Sequence, residues 1–259
     1  EVKALDHPIH SGMWGGPVPD PAQALAKIVA GLTKPDGTLD VPGLYEKVRK
    51  PTAKEKARLK KIPFDRKRFL RDAGVLPGVK LLGESKWSVY EQLWLRPTLT
   101  VIAMESHAIE GSSNQIVDSA RARVSMRIVP NITPEHGTKL LAKRLAREKP
   151  LGCQLTVTPH EGATWWITDP EGPAFEAARR ALTKGYGKEC TMIGAGGTIG
   201  FVKPFVELLE GAPALLLGLE DPICNAHSEN ESLHLGDWLK GMKGAIYLYD
   251  ELSRLPKRG

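Results

Sequence analysis

The hydrophobic pattern changes period several times along the chain, and each change marks an element. "EVKAL" at the start reads as a short strand. "DPAQALAKIVAGL" (20–32) has apolar residues at helical spacing, with Asp20 placed to cap the N-terminus and Pro21 at the first helical position, so it predicts a helix. "TLTVIAM" (98–104) is rich in β-branched residues and "ARARVSMRIV" (120–129) alternates, so both predict strands. Thr133 and Pro134 open a second helix through "KLLAKRLARE", and "CQLTVTPH" (153–160) predicts a closing strand. The resulting order, β-α-β-β-α-β, is the split βαβ arrangement of ferredoxin-like domains, an antiparallel sheet with two helices on one face.

Between the first helix and the second strand lies a long insertion, 33–96. It is not low in complexity: Thr52 and Glu55 are spaced as a capping box, and "SVYEQLWLRP" predicts a further helix ending before Pro97. Beyond Trp165 and Trp166 the texture becomes α/β. "PEGPAFEAARRALTKGYG" (170–187) predicts a helix, "IGAGGTIGFVKPF" (193–205) a glycine loop, "PALLLGL" a buried strand, and "LGDWLKGMKGAIYLYDELSRL" (235–255) a terminal amphipathic helix. One confident strand among about three helices is too little for a sheet covered on both faces, so this part reads as an incomplete α/β segment. The expected division is 1–164, with the insertion 33–96, followed by 165–259.

Composition narrows the function without naming it. With 41% hydrophobic and 25% charged residues among 259, the chain reads as an ordinary globular protein, and its longest apolar run is far too short to span a bilayer. The formal charge of +6 is concentrated in stretches such as "KVRKPTAKEKARLKK" (47–61), where acidic residues are interleaved and the spacing is helical. These read as solvated helix faces, with neither nucleic acid nor a membrane expected as partner. Cys153, Cys190 and Cys224 are odd in number and never form a C-x-x-C pair, which argues against a disulfide framework and a thiolate zinc site. Together with the lack of a secretory-type N-terminus, this gives a cytoplasmic expectation.

One polar stretch stands out chemically. "NAHSENESL" (225–233) places His227 among Ser, Glu and Asn just after an apolar segment, as in the loops where α/β folds keep their sites. A single histidine, however, holds no catalytic metal.

Several blocks, in order, resemble the M20 metallopeptidases, and most closely their dipeptidase branch, which includes the carnosine dipeptidases. They are "DHPIHSGMWGG", "DGTLDVPGLYEKV", "WLRPTLTV", "SARARVSMRIVP", "AGGTIGFVKPF" and "NAHSENESLHLGDWLKGM". The resemblance implies a ferredoxin-like lid that forms a homodimer, followed by the C-terminal return to a catalytic domain holding two zinc ions, or manganese. It implies hydrolysis of a small peptide or an N-acyl amino acid. The family's N-terminal catalytic half, with its His-x-Asp motif and Glu-Glu pair, has no counterpart in this sequence. The chain alone is therefore expected to be inactive, and a non-catalytic dimerisation module is the alternative.

The same resemblance assigns individual roles. His227 in "HSENE" is implied as a metal ligand, with Glu231 in the same motif orienting it or capping the next helix. His10 in "HSG" is implied as the lid histidine that stabilises the oxyanion in the partner's active site, and Arg127 in "SMRIVP" as the residue that binds the substrate carboxylate. Gly196, Gly197 and Thr198 match a substrate-contacting glycine loop, although Gly200 stands where the family has proline. Asn114 and Gln115 lie in "NQIVD", which departs from the family pattern.

Overall fold

The computed structural model describes residues 1–83, 86–148, 150–195 and 199–256. In chain order the strands are β1 (Val2–Lys3), β2 (Ile9–His10), β3 (Thr98–Glu105), β4 (Gln115–Ile116), β5 (Ser119–Arg127) and β6 (Gln154–Leu155). The helices are α1 (Ser11–Trp14), α2 (Pro21–Ala30), α3 (Ala53–Lys61), α4 (Arg66–Asp72), α5 (Val89–Leu95), α6 (Pro134–Ala146), α7 (Pro173–Tyr186), α8 (Val202–Leu208) and α9 (Leu235–Ser253), with a 3-10 turn at Leu44–Lys47. The described residues form two compact units. One is built mainly from 1–50 and 81–165, the other from 51–80, 166–194 and the chain from 200 onward.

The first unit holds an antiparallel sheet in the order β3-β5-β1-β6, as a ferredoxin-like domain requires. Val2 on β1 faces Ala120 on one side and Leu155 on the other. Alternation along β5 sends Ala120, Ala122, Val124 and Met126 to one face and Arg121, Arg123, Ser125 and Arg127 to solvent. Both long helices lie on the apolar face. Ala24, Leu25 and Ile28 of α2 pack with Val2 and Ala120, while Leu140 and Leu141 of α6 join Leu39, Val41, Leu44, Val129 and Ile132.

The local signals predicted from sequence operate as physical caps. The Asp20 carboxylate accepts from the backbone N–H groups of Ala22 and Gln23, and Thr52 and Glu55 close a reciprocal capping box at α3. Ser88 and Glu91 form a second such box at α5.

Two predicted strands are corrected. The closing strand is only Gln154–Leu155 rather than 153–160, because its partner β1 offers just two residues for pairing. "PALLLGL" is irregular, and Leu216, Leu217 and Leu219 are exposed. A strand needs a neighbour to complete its ladder, and among the described residues none lies beside this segment. Part of the predicted glycine loop is instead helix α8.

In the second unit α7 packs along α9. Ala178, Ala181 and Leu248 are buried at their contact, with Leu215, Tyr247 and Leu252 around them. Gly187 in the left-handed conformation ends α7. No helix among the described residues is long and apolar enough to cross a membrane.

Candidate active site

His10 sits where three short elements meet. It ends β2, faces Gln115 of β4 across an antiparallel pair, and caps α1, whose Gly12 N–H donates to its Nδ1 at 3.1 Å. The next residue extends the junction, since Ser11 N–H donates to the Asn114 carbonyl at 2.9 Å. The "HSG" and "NQIVD" stretches, more than a hundred residues apart, are therefore one structural feature. Because Nδ1 accepts a backbone hydrogen bond, the neutral imidazole carries its proton on Nε2. The ring is thereby prepared to donate from an exposed edge.

Arg127 closes β5 opposite Thr98 on the outer face of the sheet, where Ser125 lies opposite Thr100. A guanidinium among hydroxyl-bearing neighbours on a rigid strand suits bidentate recognition of a carboxylate.

His227 belongs to the second unit, in a loop whose backbone is unusually constrained. Asn225, His227 and Asn230 all have positive φ, at 61°, 63° and 57°. Non-glycine residues adopt this region at a cost, and the surroundings must hold them there. Here the restraint comes from the Asn225 side chain donating to the Glu229 carbonyl at 2.5 Å, Ser228 N–H donating to the Asn225 carbonyl at 3.1 Å, and Ser232 N–H donating to the Cys224 carbonyl at 2.8 Å. Buried Cys224 anchors the base of the loop. The imidazole is presented outward by a fixed loop rather than by a regular element.

Gly196, Gly197 and Thr198 lie outside the described residues. Among the described residues, no three His, Cys, Asp or Glu side chains gather where they could hold a metal ion. These residues alone therefore do not fit a metal centre.

His234 has a definite task. Its Nδ1 accepts from Asp237 N–H at 3.1 Å and caps α9 directly after the His227 loop. Asp237 in turn is held below the ordinary carboxylate range, chiefly by the hydrogen bond from Lys240. A histidine immediately before an amphipathic helical run was the available signal. Glu231 is exposed and does not form this cap.

Comparison with known proteins points in one direction. The profile of the peptidase dimerisation domain, M20_dimer, matches residues 1–153. The cysteinylglycine-S-conjugate dipeptidase of Corynebacterium striatum is 31% identical over 234 residues, covering 90% of this chain and 50% of the relative. The Beta-Ala-His dipeptidase of Rattus norvegicus is 28% identical over 265 residues, covering 98% and 52%. The Cys-Gly metallodipeptidase DUG1 of Saccharomyces cerevisiae is 30% identical over 249 residues, covering 93% and 50%. Among solved structures, human carnosine dipeptidase 1 gives a TM-score of 0.82 at 25% identity, over 98% of this chain and 54% of that one. The chain thus spans about half the length of the curated relatives it matches.

Proposed function

The chain belongs to the M20 peptidase dimerisation-domain family, and from that premise we propose that it is the lid (1–164) and C-terminal catalytic segment (165–259) of a metal-dependent dipeptidase or related amidohydrolase. One observation carries this reading. Similarity to dipeptidases extends over 90% or more of the chain, through both units, and not only over the dimerisation domain. A module retained for dimerisation alone would need only the first part.

In this reading His227 is one ligand of a two-zinc centre, with manganese a possible substitute. A catalytic zinc takes about three protein ligands, so the others are supplied by a catalytic half outside this sequence. The chain's own groups bind and orient. Arg127 receives the carboxylate of a small peptide or N-acyl amino acid, and Gly196, Gly197 and Thr198 are assigned to substrate binding by their match to the family's glycine loop. His10, with its proton on Nε2, donates to the oxygen that gains negative charge as the scissile carbonyl is attacked. It does so across a homodimer formed through the lid. The three cysteines are free, in keeping with a reducing, cytoplasmic compartment.

The test is to express the coding frame with its upstream extension beside the 259-residue chain. The longer protein should hydrolyse Cys-Gly or Beta-Ala-His, lose that activity on chelation, and regain it with zinc or manganese. The shorter chain should show no turnover and retain no stoichiometric zinc after dialysis. In the longer protein His10→Ala should lower kcat by about 10²–10³, while Arg127→Ala should mainly raise KM. Turnover by the shorter chain, or an upstream frame without metal-binding motifs, would overturn the proposal.

A further inference from the structure

Segment 51–80 holds more than the whole positive surplus of the protein. It contains ten Lys and Arg against three Asp and Glu, in a chain whose formal net charge is +6. Sequence alone reads its first part, as far as Lys61, as a solvated helix face. The structure adds how that charge is arranged.

One side of helix α3 carries ion pairs to the residues before α7. Lys54 and Arg58, one turn apart, pair with Glu171 and with Asp169 and Glu171 respectively. Lys56 and Lys60 lie on the opposite side of the helix and are exposed. Among the described residues no acidic partner lies against Lys56, Lys60, Lys61 or Lys67. Between α3 and α4 the chain turns at Ile62, Pro63, Phe64 and Asp65. Phe64 is 41% exposed, with its ring 5.6 Å from that of Phe69. Lys60 and Lys61 precede this turn, and exposed Arg66, Lys67 and Arg68 follow it. Beyond α4, Leu76 and Val79 are 72% and 55% exposed.

We infer that the α3–α4 hairpin is a docking surface for an anionic phospholipid bilayer, with Phe64 entering the headgroup layer and the surrounding cations meeting lipid phosphates. Clusters of four to eight Lys and Arg on helical segments bind such surfaces. The separate exposed apolar side chains decide between anionic partners. An acidic peptide would need a groove to take them up, whereas a bilayer interface accepts Phe and Leu singly, each adding to the electrostatic attraction. The surface is independent of the proposed hydrolytic site, so its test stands whether or not the chain contributes to catalysis.

The experiment is co-sedimentation of the full chain with vesicles of phosphatidylcholine alone and with vesicles containing about one third phosphatidylglycerol. The expected result is binding to the anionic vesicles only, weakened at least about tenfold between roughly 0.05 M and 0.3 M salt. Lys60→Glu/Lys61→Glu/Lys67→Glu should weaken it by at least about tenfold, each cation being worth roughly fivefold. Phe64→Ser should reduce the binding that persists at high salt. The milder pair Lys60→Gln/Lys61→Gln gives the same direction should charge reversal disturb folding, which circular dichroism reports. Equal binding to neutral and anionic vesicles, or wild-type binding by the lysine variants, would overturn the inference. So would a short single-stranded oligonucleotide that displaces the chain from vesicles and binds through the same lysines.

Discussion

Gly185 on α7 and Gly244 on α9 meet backbone to backbone: a Cβ on Gly185 would lie 2.6 Å from both the Cα and the N of Gly244. That closeness lets the two helices bury Ala178, Ala181 and Leu248 between them. It also allows Arg180 to donate twice to Glu251, through Nε at 3.0 Å and Nη2 at 2.7 Å.

Gly185→Ala should therefore destabilise the second unit. Alanine is the better helix former by about 1 kcal/mol, but its methyl group meets backbone that moves only if the helices part, which costs about 1–3 kcal/mol or more. The steric cost should win. Gly244→Ala is the control: its Cβ meets the Leu182 Cδ2 at 3.1 Å, the end of a side chain that can rotate. Urea denaturation should place Gly185→Ala clearly below wild type and Gly244→Ala close to it. Equal stability of the two variants would show that the crossing is looser than described.

Arg144 ties three parts of the first unit together. Its Nε donates to the Asp40 carbonyl at 2.8 Å, and its Nη2 donates to the Gly31 carbonyl at 3.1 Å and to Asp40 Oδ2 at 3.2 Å. Its Nη1 pairs with Glu148. The side chain is only 11% exposed, and its removal leaves the part-buried Asp40 carbonyl without its donor. Arg144→Ala should cost about 2–3 kcal/mol, and Arg144→Lys should recover less than half, because an ammonium cannot span the same fork. Full recovery by lysine in chemical denaturation would reduce the contribution to charge alone.

Asp36 makes part of the insertion sensitive to acid. The Lys86 ammonium at 2.5 Å, then the Thr38 hydroxyl and backbone N–H, hold its carboxyl well below the ordinary range. A carboxyl with a depressed folded-state pKa contributes stability that is fully present above its unfolded value, about 3.9. The contribution is lost as pH falls through the lower, folded value. Stability measured against pH should show a gap between wild type and Asp36→Asn that is constant at neutral pH and narrows below about pH 4. A gap unchanged into strong acid would mean that the ion pair contributes nothing.

Much of this fold is written locally. Asp20 with Pro21, and Thr52 with Glu55, announce helix starts because capping depends on neighbours within one turn. Strands β3 and β5 are long enough to show their character in composition and alternation, whereas β1 and β6 have only two residues each. Other features depend on distant partners and leave no such trace. The β2–β4 ladder has two residues on each side, too few for a period, so the placement of His10 beside Gln115 emerges only in three dimensions. "PALLLGL" carries a strand pattern that lacks a ladder neighbour among the described residues. The His227 loop was identifiable by its polarity, but its three left-handed residues were not, since Asn225 and Asn230 suggest turns while a histidine does not.

The last expectation concerns the free edge of the lid sheet. In the order β3-β5-β1-β6, β3 is outermost, and among the described residues no strand pairs its outer side. Eight residues long and reading "TLTVIAME", it has no Lys or Pro to discourage pairing, and Val101, Ile102 and Met104 are exposed. An edge of this kind recruits another strand. In a dimerisation-domain family the fitting recruit is β3 of a second copy, which would extend the sheet through a two-fold axis and cover those side chains. The chain should therefore sediment as a dimer at low micromolar concentration. Ile102→Lys adds the charge that natural edge strands use to block pairing. It lies at the irregularity between Val101 and Ala103, where the ladder to β5 is already interrupted, so the fold should tolerate it. The variant should dissociate at concentrations at least about tenfold higher than wild type, an effect of the size expected for one buried charge, with unchanged circular dichroism. A monomeric wild type, or a variant that dimerises equally well, would show that this edge is not the dimer contact.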